Sequence, residues 1–308
     1  MFLMADMGGT NIRFALFDGQ KITSLVHYEC LDFGNFSDAL AAYRNKVGKL
    51  PEYFVLAVPG PVQKDKYAFV NNPWCFSLNA LRKEFSFKEI CVVNDFEAVA
   101  MAIPSLSSRD VVKIKTGKAK PNFPRLVMGA GTGLGVGILV PLGNEKYKTL
   151  HSEGGHIGIS DTTDQERKIK QFIIKKYGRA SAERFVSGQG LQNIYQALTG
   201  KTKTPENIVK EALLKDGFSR KALMQMFAFW GDVAGDLILT IGGMGGLYLS
   251  GNFVQSEGIL KLIKESDFCT RFENKGRYTD LMKNIPIYAI TRKEIAFLGL
   301  KAFGLSEE

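Results

Sequence analysis

Apolar and polar positions in the first ninety residues alternate over short runs that turn residues interrupt. Phe2–Ala5, Ile12–Phe17, Ile22–Tyr28 and Tyr53–Val58 carry the β-branched and aromatic content of strands, while Ser37–Val47 has helical spacing. Pro59-Gly60-Pro61 ends the fourth run, and a β pair is expected to continue through Val70. Glu89–Val93 predicts a short, buried strand leading directly into Asn94-Asp95, where a helix should begin. Pro104 and the polar stretch Ser105–Ser108 then break the pattern and mark a boundary.

Beyond it, Val111–Ile114, Leu126–Met128, Val136–Val140 and Tyr147–Leu150 predict a second sheet, and most of the chain from there to Met244 is helical. Asp164–Tyr177 places Ile169, Phe172, Ile173 and Tyr177 on one face with basic residues between them, an amphipathic surface helix. Ser219–Leu239 reads as a long, largely buried helix. The uncharged run Leu237–Val254 reaches 18 residues, the threshold for a membrane span. Gly242, Gly243, Gly245, Gly246 and Gly251 divide it instead into a helix end, a turn and a short strand ending in a loop.

The chain has 308 residues, which at roughly 150 per domain gives two α/β lobes. Apolar content of 45% and charged content of 23% exclude disordered and fibrous classes. Two values depart from average: 32 glycines against roughly 22 at ordinary usage, and a net charge of +9. Cys30, Cys75, Cys91 and Cys269 form no C-x-x-C pair, which removes zinc and thioredoxin-like spacings. Reduced thiols in a cytoplasm are expected, since Met1–Ala5 is too short for the apolar region of a signal peptide.

The glycines fall in groups. Asp6-Met7-Gly8-Gly9-Thr10-Asn11 lies between two strands, where backbone N–H groups can approach an anion, Thr10 adds a hydroxyl, and Asp6 is suited to holding Mg²⁺ through water. A tight hairpin needing positive φ explains the glycines equally well. Gly129–Gly137 also joins two strands; it fails the dinucleotide fingerprint in every register, and its Gly131-Thr132-Gly133 repeats the first pairing of glycine with threonine. Two matched hairpins in two lobes point to a phosphate clamp. Thr199-Gly200-Lys201-Thr202 imitates a P-loop end, but Tyr195 stands where that motif needs glycine, so it reads as a surface turn. Gly8-Gly9, Gly129–Gly137, Gly154-Gly155 and Gly242–Gly251 are all expected on ligand-facing loops.

Asp95 ends a buried strand, a position for a reactive group or for a helix N-cap. Glu153-Gly154-Gly155-His156 sets a carboxylate and an imidazole beside glycines, suited to hydroxyl recognition or to a structural hydrogen bond. Glu183 reads most simply as a helix-terminal charge paired with Arg184.

Together these segments resemble the bacterial-type glucokinase family of the hexokinase, Hsp70 and actin superfold. The matching motifs, in the family's order, are Asp6–Asn11, Val93–Phe96 with Met101–Pro104, Gly129–Gly135, Glu153–His156, Ser181–Arg184 and Phe272–Arg277. Asn71–Ser77 also resembles the family's Trp-containing turn. The resemblance implies a two-lobed ribonuclease H-like fold with a cleft between lobes, residues 1–104 plus 294–308 forming the small lobe and 105–293 the large one. It implies a cytoplasmic homodimer using Mg-ATP and glucose, with no zinc. Asp6, Met7, Gly8, Gly9, Thr10, Asn11, Gly131, Thr132, Gly133 and Gly251 would bind nucleotide. Asn94, Asp95, Glu153, His156 and Glu183 would contact the sugar, and Asp95 would accept the proton of the 6-hydroxyl. Asn252 departs from the second glycine usual after Gly251.

Most of the positive excess sits in Ser105–Arg125 and Asp161–Arg179. A solvated basic face explains such segments better than nucleic acid, because aromatic interleaving is sparse. The alternatives are a kinase for another hexose or N-acetylhexosamine, as in the related repressor and sugar-kinase group, and an actin- or Hsp70-like nucleotide switch. The second has no need of a carboxylate and imidazole constellation.

Overall fold

The computed structural model describes residues 1–69, 72–214 and 217–305, without the side chains of Asn72, Pro73 and Asn252. Val70, to which the expected β pair runs, and Asn71, the first residue of the Trp-containing segment, lie outside the described residues. The chain divides into two compact units, Met1–Leu106 with the segment beginning at Lys293, and Ser107–Arg292.

The first unit contains, in chain order, β1 (Phe2–Met7), β2 (Asn11–Phe17), β3 (Ile22–Glu29), α1 (Phe36–Val47), β4 (Tyr53–Val58), β5 (Lys66–Phe69), β6 (Asn72–Ser77), α2 (Leu78–Phe85), β7 (Glu89–Asn94) and α3 (Asp95–Ala102). Its main sheet has the order β3-β2-β1-β4-β7, with β1, β4 and β7 parallel. Register sets Asp6 beside Ala57 and Ala57 beside Val93, so β1 and β7 finish at the same sheet end. Phe14, Phe36, Tyr43, Phe54 and Trp74 are buried in the core, with Tyr43 stacked on Phe14 at 5.1 Å. The segment resembling a Trp-containing turn is instead strand β6 from Asn72 onward. Its ladder with β5 is supported by a cross-strand pair, Tyr67 stacked on Phe76 at 5.2 Å, and Trp74 donates to the Phe33 carbonyl at 3.2 Å.

A C-terminal helix, Ile295–Leu305, packs along α3. Gly299 permits this: a Cβ there would overlap the Ala98 carbonyl.

The second unit contains β8 (Val111–Lys115), β9 (Arg125–Ala130), β10 (Leu134–Gly143), β11 (Lys146–Leu150), α4 (Asp164–Tyr177), α5 (Gly188–Thr199), α6 (Pro205–Leu213), α7 (Gly217–Ile241), β12 (Leu247–Ser250), α8 (Glu257–Glu265), α9 (Phe268–Glu273), α10 (Thr279–Lys283) and β13 (Ile287–Ile290). Its sheet runs β11-β10-β9-β12-β13-β8. Among the described residues only α7 is long and apolar enough to cross a membrane; most of its apolar window is buried within the unit, around Phe227, Phe229 and Trp230.

A buried ionic network ties α4, α7 and α9 together. Arg271 donates to Glu166 at 2.7 Å and to Asp232 at 3.0 Å, and Lys275 contacts Asp232 and Asp236 at 2.7 Å each. The Phe272–Arg277 motif therefore serves this tie, with Phe272 in the core. Burial alone would raise the Glu166 pKa, but hydrogen bonds from Thr162 and the Arg271 guanidinium outweigh it and hold the carboxyl below its usual range.

Two outcomes follow from these contacts. Gly299→Ala overpacks the helix pair and is expected to cost about 1–3 kcal/mol, read as a lower denaturant midpoint. Because the folded-state pKa of Glu166 is depressed, its contribution is complete above the unfolded value of about 4.3 and is lost as pH falls through the lower folded value. Glu166→Gln should cost about 1–3 kcal/mol at pH 7, since Arg271 keeps Asp232. Its melting temperature should also fall less than that of wild type between about pH 5 and 3, as thermal melts across pH will show.

Candidate functional site

In the first unit, chemistry collects where the parallel strands end, the side of an α/β sheet at which ligands bind. The β1–β2 turn is closed by the Gly8 N–H donating to the Asn11 carbonyl at 2.8 Å, and Asn11 donates to the Thr10 hydroxyl at 2.9 Å. Met7 is buried and Asp6 part-buried just before it. Burial pushes the Asp6 carboxyl up, opposed by Arg13, whose guanidinium lies 3.1 Å away on the residue directly across β2. His27 lies across from Arg13 on β3 and pairs with Glu294 at 3.6 Å.

At the end of β7, two strands away in the same sheet, the helix N-cap is Asn94 and not Asp95. The Asn94 carbonyl oxygen accepts from the N–H groups of Phe96 at 2.9 Å and Glu97 at 3.2 Å, while its amide donates to the Gly60 carbonyl at 3.2 Å. Asp95 is thus freed from the capping position: it is the first helical residue, partly exposed, and one carboxylate oxygen accepts from the Phe96 N–H at 2.9 Å.

In the second unit, three segments converge on the start of β10. The β9–β10 turn, Gly131-Thr132-Gly133, is closed by the Gly131 N–H donating to Gly133 at 2.9 Å. Neither Gly8, Gly131 nor Gly133 has positive φ, and a Cβ on Gly131 would meet no protein atom within 4 Å. Strain relief is therefore not what these glycines supply. The Leu134 N–H donates to the Glu183 carboxylate at 3.0 Å, and a Cβ on Gly133 would collide with that carboxylate. The expected Glu183–Arg184 pairing is absent among the described contacts; Arg184 lies over the Tyr177 ring at 4.2 Å instead. The Glu153–His156 turn packs against the same place, for a Cβ on Gly155 would overlap the Leu134 carbonyl. Glu153 lies 3.4 Å from His151 through one oxygen and 3.8 Å from His156 through the other.

Gly251 joins this group. Its φ is +92°, and a Cβ would press on the Ala130 carbonyl at 2.6 Å, so the end of β12 lies beside the β9–β10 turn. Gly242–Gly246 does not join it. In the parallel register Leu247 stands beside Leu126 and Ser250 beside Gly129, which puts that glycine cluster at the far end of β12, bonded to Pro124 and Leu126. The expectation that all four glycine groups face ligand is corrected to this extent. Gly200, in the imitation P-loop, is the left-handed C-cap of α5, a surface turn as expected.

Arg13 and His151 have no counterpart among the sequence-derived candidates. Their importance comes from cross-strand register and from a turn, neither of which a linear motif shows. Among the described residues, no three His, Cys, Asp or Glu side chains gather as a metal-binding group.

The family model described as glucokinase matches residues 3–306. A glucokinase of Campylobacter jejuni subsp. doylei is 38% identical over 307 residues, covering 97% of this chain and 92% of that protein. A "bifunctional protein glk" of Paraburkholderia xenovorans is 35% identical over 310 residues; the match covers 97% of this chain but 48% of that protein, so the chain spans about half its length. Among solved structures, the glucokinase of an Antarctic psychrotroph superposes with a TM-score of 0.84 at 32% identity, covering 100% of this chain and 99% of that one. The fold is the two-lobed α/β fold of the actin and hexokinase type. With a family model matched across nearly its whole length, the chain belongs to the glucokinase family.

Proposed function

We propose that the chain transfers the γ-phosphoryl group of ATP to the 6-hydroxyl of glucose, with Asp95 as general base. The family supports ATP-dependent phosphorylation of glucose as the overall reaction. The observation that carries the assignment of Asp95 is its position: it leaves the capping role to Asn94 and stands at the same sheet end as the Asp6–Thr10 turn.

In this reading Asp95 accepts the 6-hydroxyl proton as that oxygen attacks the γ-phosphorus. The hydrogen bond from the Phe96 N–H holds one carboxylate oxygen and so fixes the direction in which the carboxyl group faces. Glu153, His156 and Glu183 take other sugar hydroxyls, and Asn94 offers the second hydrogen of its amide. Thr10 and the Gly131–Gly133 turn take phosphate oxygens, the absence of a Cβ at Gly131 leaving room for them, and Gly251 flanks the adenosine. Met7, Gly8, Gly9 and Asn11 shape the first turn. A loose phosphoryl transition state asks chiefly for such positioning.

Asp6, a part-buried carboxylate paired with Arg13 and leading into the β1–β2 turn, fits Mg²⁺ that arrives with its nucleotide, since Mg²⁺ commonly takes one or two protein carboxylates, keeps waters and draws its other ligands from phosphate. Asp6 would hold it through water, and the ion would supply charge neutralisation at the phosphates. The reading also takes the chain as a cytoplasmic homodimer with small-molecule substrates and no nucleic-acid or membrane partner.

The test is ADP formation from Mg-ATP with glucose, mannose, fructose, N-acetylglucosamine and glycerol. Glucose should give the highest kcat/KM, and Asp95→Asn should lower kcat by about 10²–10⁴-fold; sugar-independent turnover, or a variant at the wild-type rate, overturns the reading. Asp6→Asn should raise the Mg²⁺ concentration for half-maximal rate by about tenfold, measured at fixed glucose.

A further inference from the structure

Two of the chain's three histidines flank one carboxylate. His151 approaches one oxygen of Glu153 through Nε2 at 3.4 Å, and His156 approaches the other through Nε2 at 3.8 Å. His156 belongs to the Glu-Gly-Gly-His turn, whereas His151 precedes that turn, immediately after β11 ends at Leu150. The backbone between them is pinned: the Gly154 N–H donates to the Ser152 hydroxyl at 3.1 Å, the His156 N–H to the Glu153 carbonyl at 2.9 Å, and Gly155 lies against Leu134.

The Glu153 side chain itself is not pinned by packing, for it is 44% exposed. A long, exposed carboxylate loses rotamer freedom when it grips a ligand, and that loss weakens binding unless neighbouring groups have already restricted it. An imidazole near each oxygen, at 3.4 and 3.8 Å, narrows the space that the carboxylate can sweep.

We propose that His151 is a positioning residue for the sugar-contacting carboxylate of Glu153, acting on glucose affinity rather than on the phosphoryl transfer step. The proposal rests on the assignment of Glu153 to the sugar. It concerns a residue outside every motif by which the chain resembles its family.

Steady-state kinetics at saturating Mg-ATP, with calorimetric glucose binding in the absence of nucleotide, test it. His151→Ala should raise both the glucose KM and the glucose dissociation constant by about two- to tenfold, with kcat within about twofold of wild type and the KM for ATP unchanged. Because the contact is made by Nε2, His151→Gln, whose amide nitrogen reaches that position, should restore most of the affinity. His151→Asn, whose amide stops near Nδ1, should not. Glu153→Gln supplies the reference. If it raises the glucose KM while His151→Ala leaves it at the wild-type value, the positioning role is overturned. If Glu153→Gln leaves glucose affinity unchanged, the assignment of Glu153 to the sugar fails, and the role of His151 with it. Equal loss in the glutamine and asparagine variants also overturns the proposal, since it would show that the imidazole's shape and not its Nε2 contact matters.

Discussion

The peptide at Leu134 is the point on which the candidate site of the second unit depends. Its N–H is held by the Glu183 carboxylate, its carbonyl is approached by Gly155 too closely for any side chain, and it follows directly on the Gly131–Gly133 turn. One backbone segment thereby fixes three chemically different loops. A buried N–H left without an acceptor costs about 1–3 kcal/mol, so Glu183 is bound to this place for structural reasons before any ligand is considered. The same carboxylate has a second oxygen, and a group whose first oxygen is fixed by backbone presents the other in a defined direction.

Such couplings explain which features could be read from the chain and which could not. Strands β1 to β4 were legible because alternation of apolar residues is a local signal, and the turn residues that bound them are local too. The Trp74 segment looked like a turn, but its stability comes from Tyr67 and Phe76 meeting across two strands, a pairing visible only once they are in register. Asp6 and Arg13 were each in plain view, seven residues apart, and only the hairpin register makes them partners. The glycine cluster Gly242–Gly246 was expected to face ligand and does not, for the same reason: composition identifies a turn, and parallel pairing with β9 decides which end of the sheet it occupies. At Asn94-Asp95 the local signal marked the start of a helix but left Asp95 open as cap or reactive group, and it is the backbone geometry that puts the cap on Asn94.

The basic excess resolves similarly. Lys115 donates to the carbonyls of Met282, Lys283 and Ile285 and contacts Glu273, while Lys170 pairs with Asp161 at 2.6 Å and Arg167 with both Asp161 and Asp164. A fraction of the charge that composition assigns to the surface is therefore used in internal ties, and what is left on α4 is punctuated by acids.

The helix Ile295–Leu305 completes the first unit although about two hundred residues separate it from α3, its packing partner. The second unit is contiguous in the chain, with every strand of its sheet made before Lys293. During synthesis from the N-terminus, the lobe begun first is thus the lobe finished last. Until the final segment is made, α3 lacks the surface that Gly299 brings against Ala98, and the residue proposed as the catalytic base sits at the end of a helix with one face uncovered. Long-range closure of this kind slows folding more than it weakens the folded state. The first unit is therefore complete only once the segment beginning at Lys293 has been made.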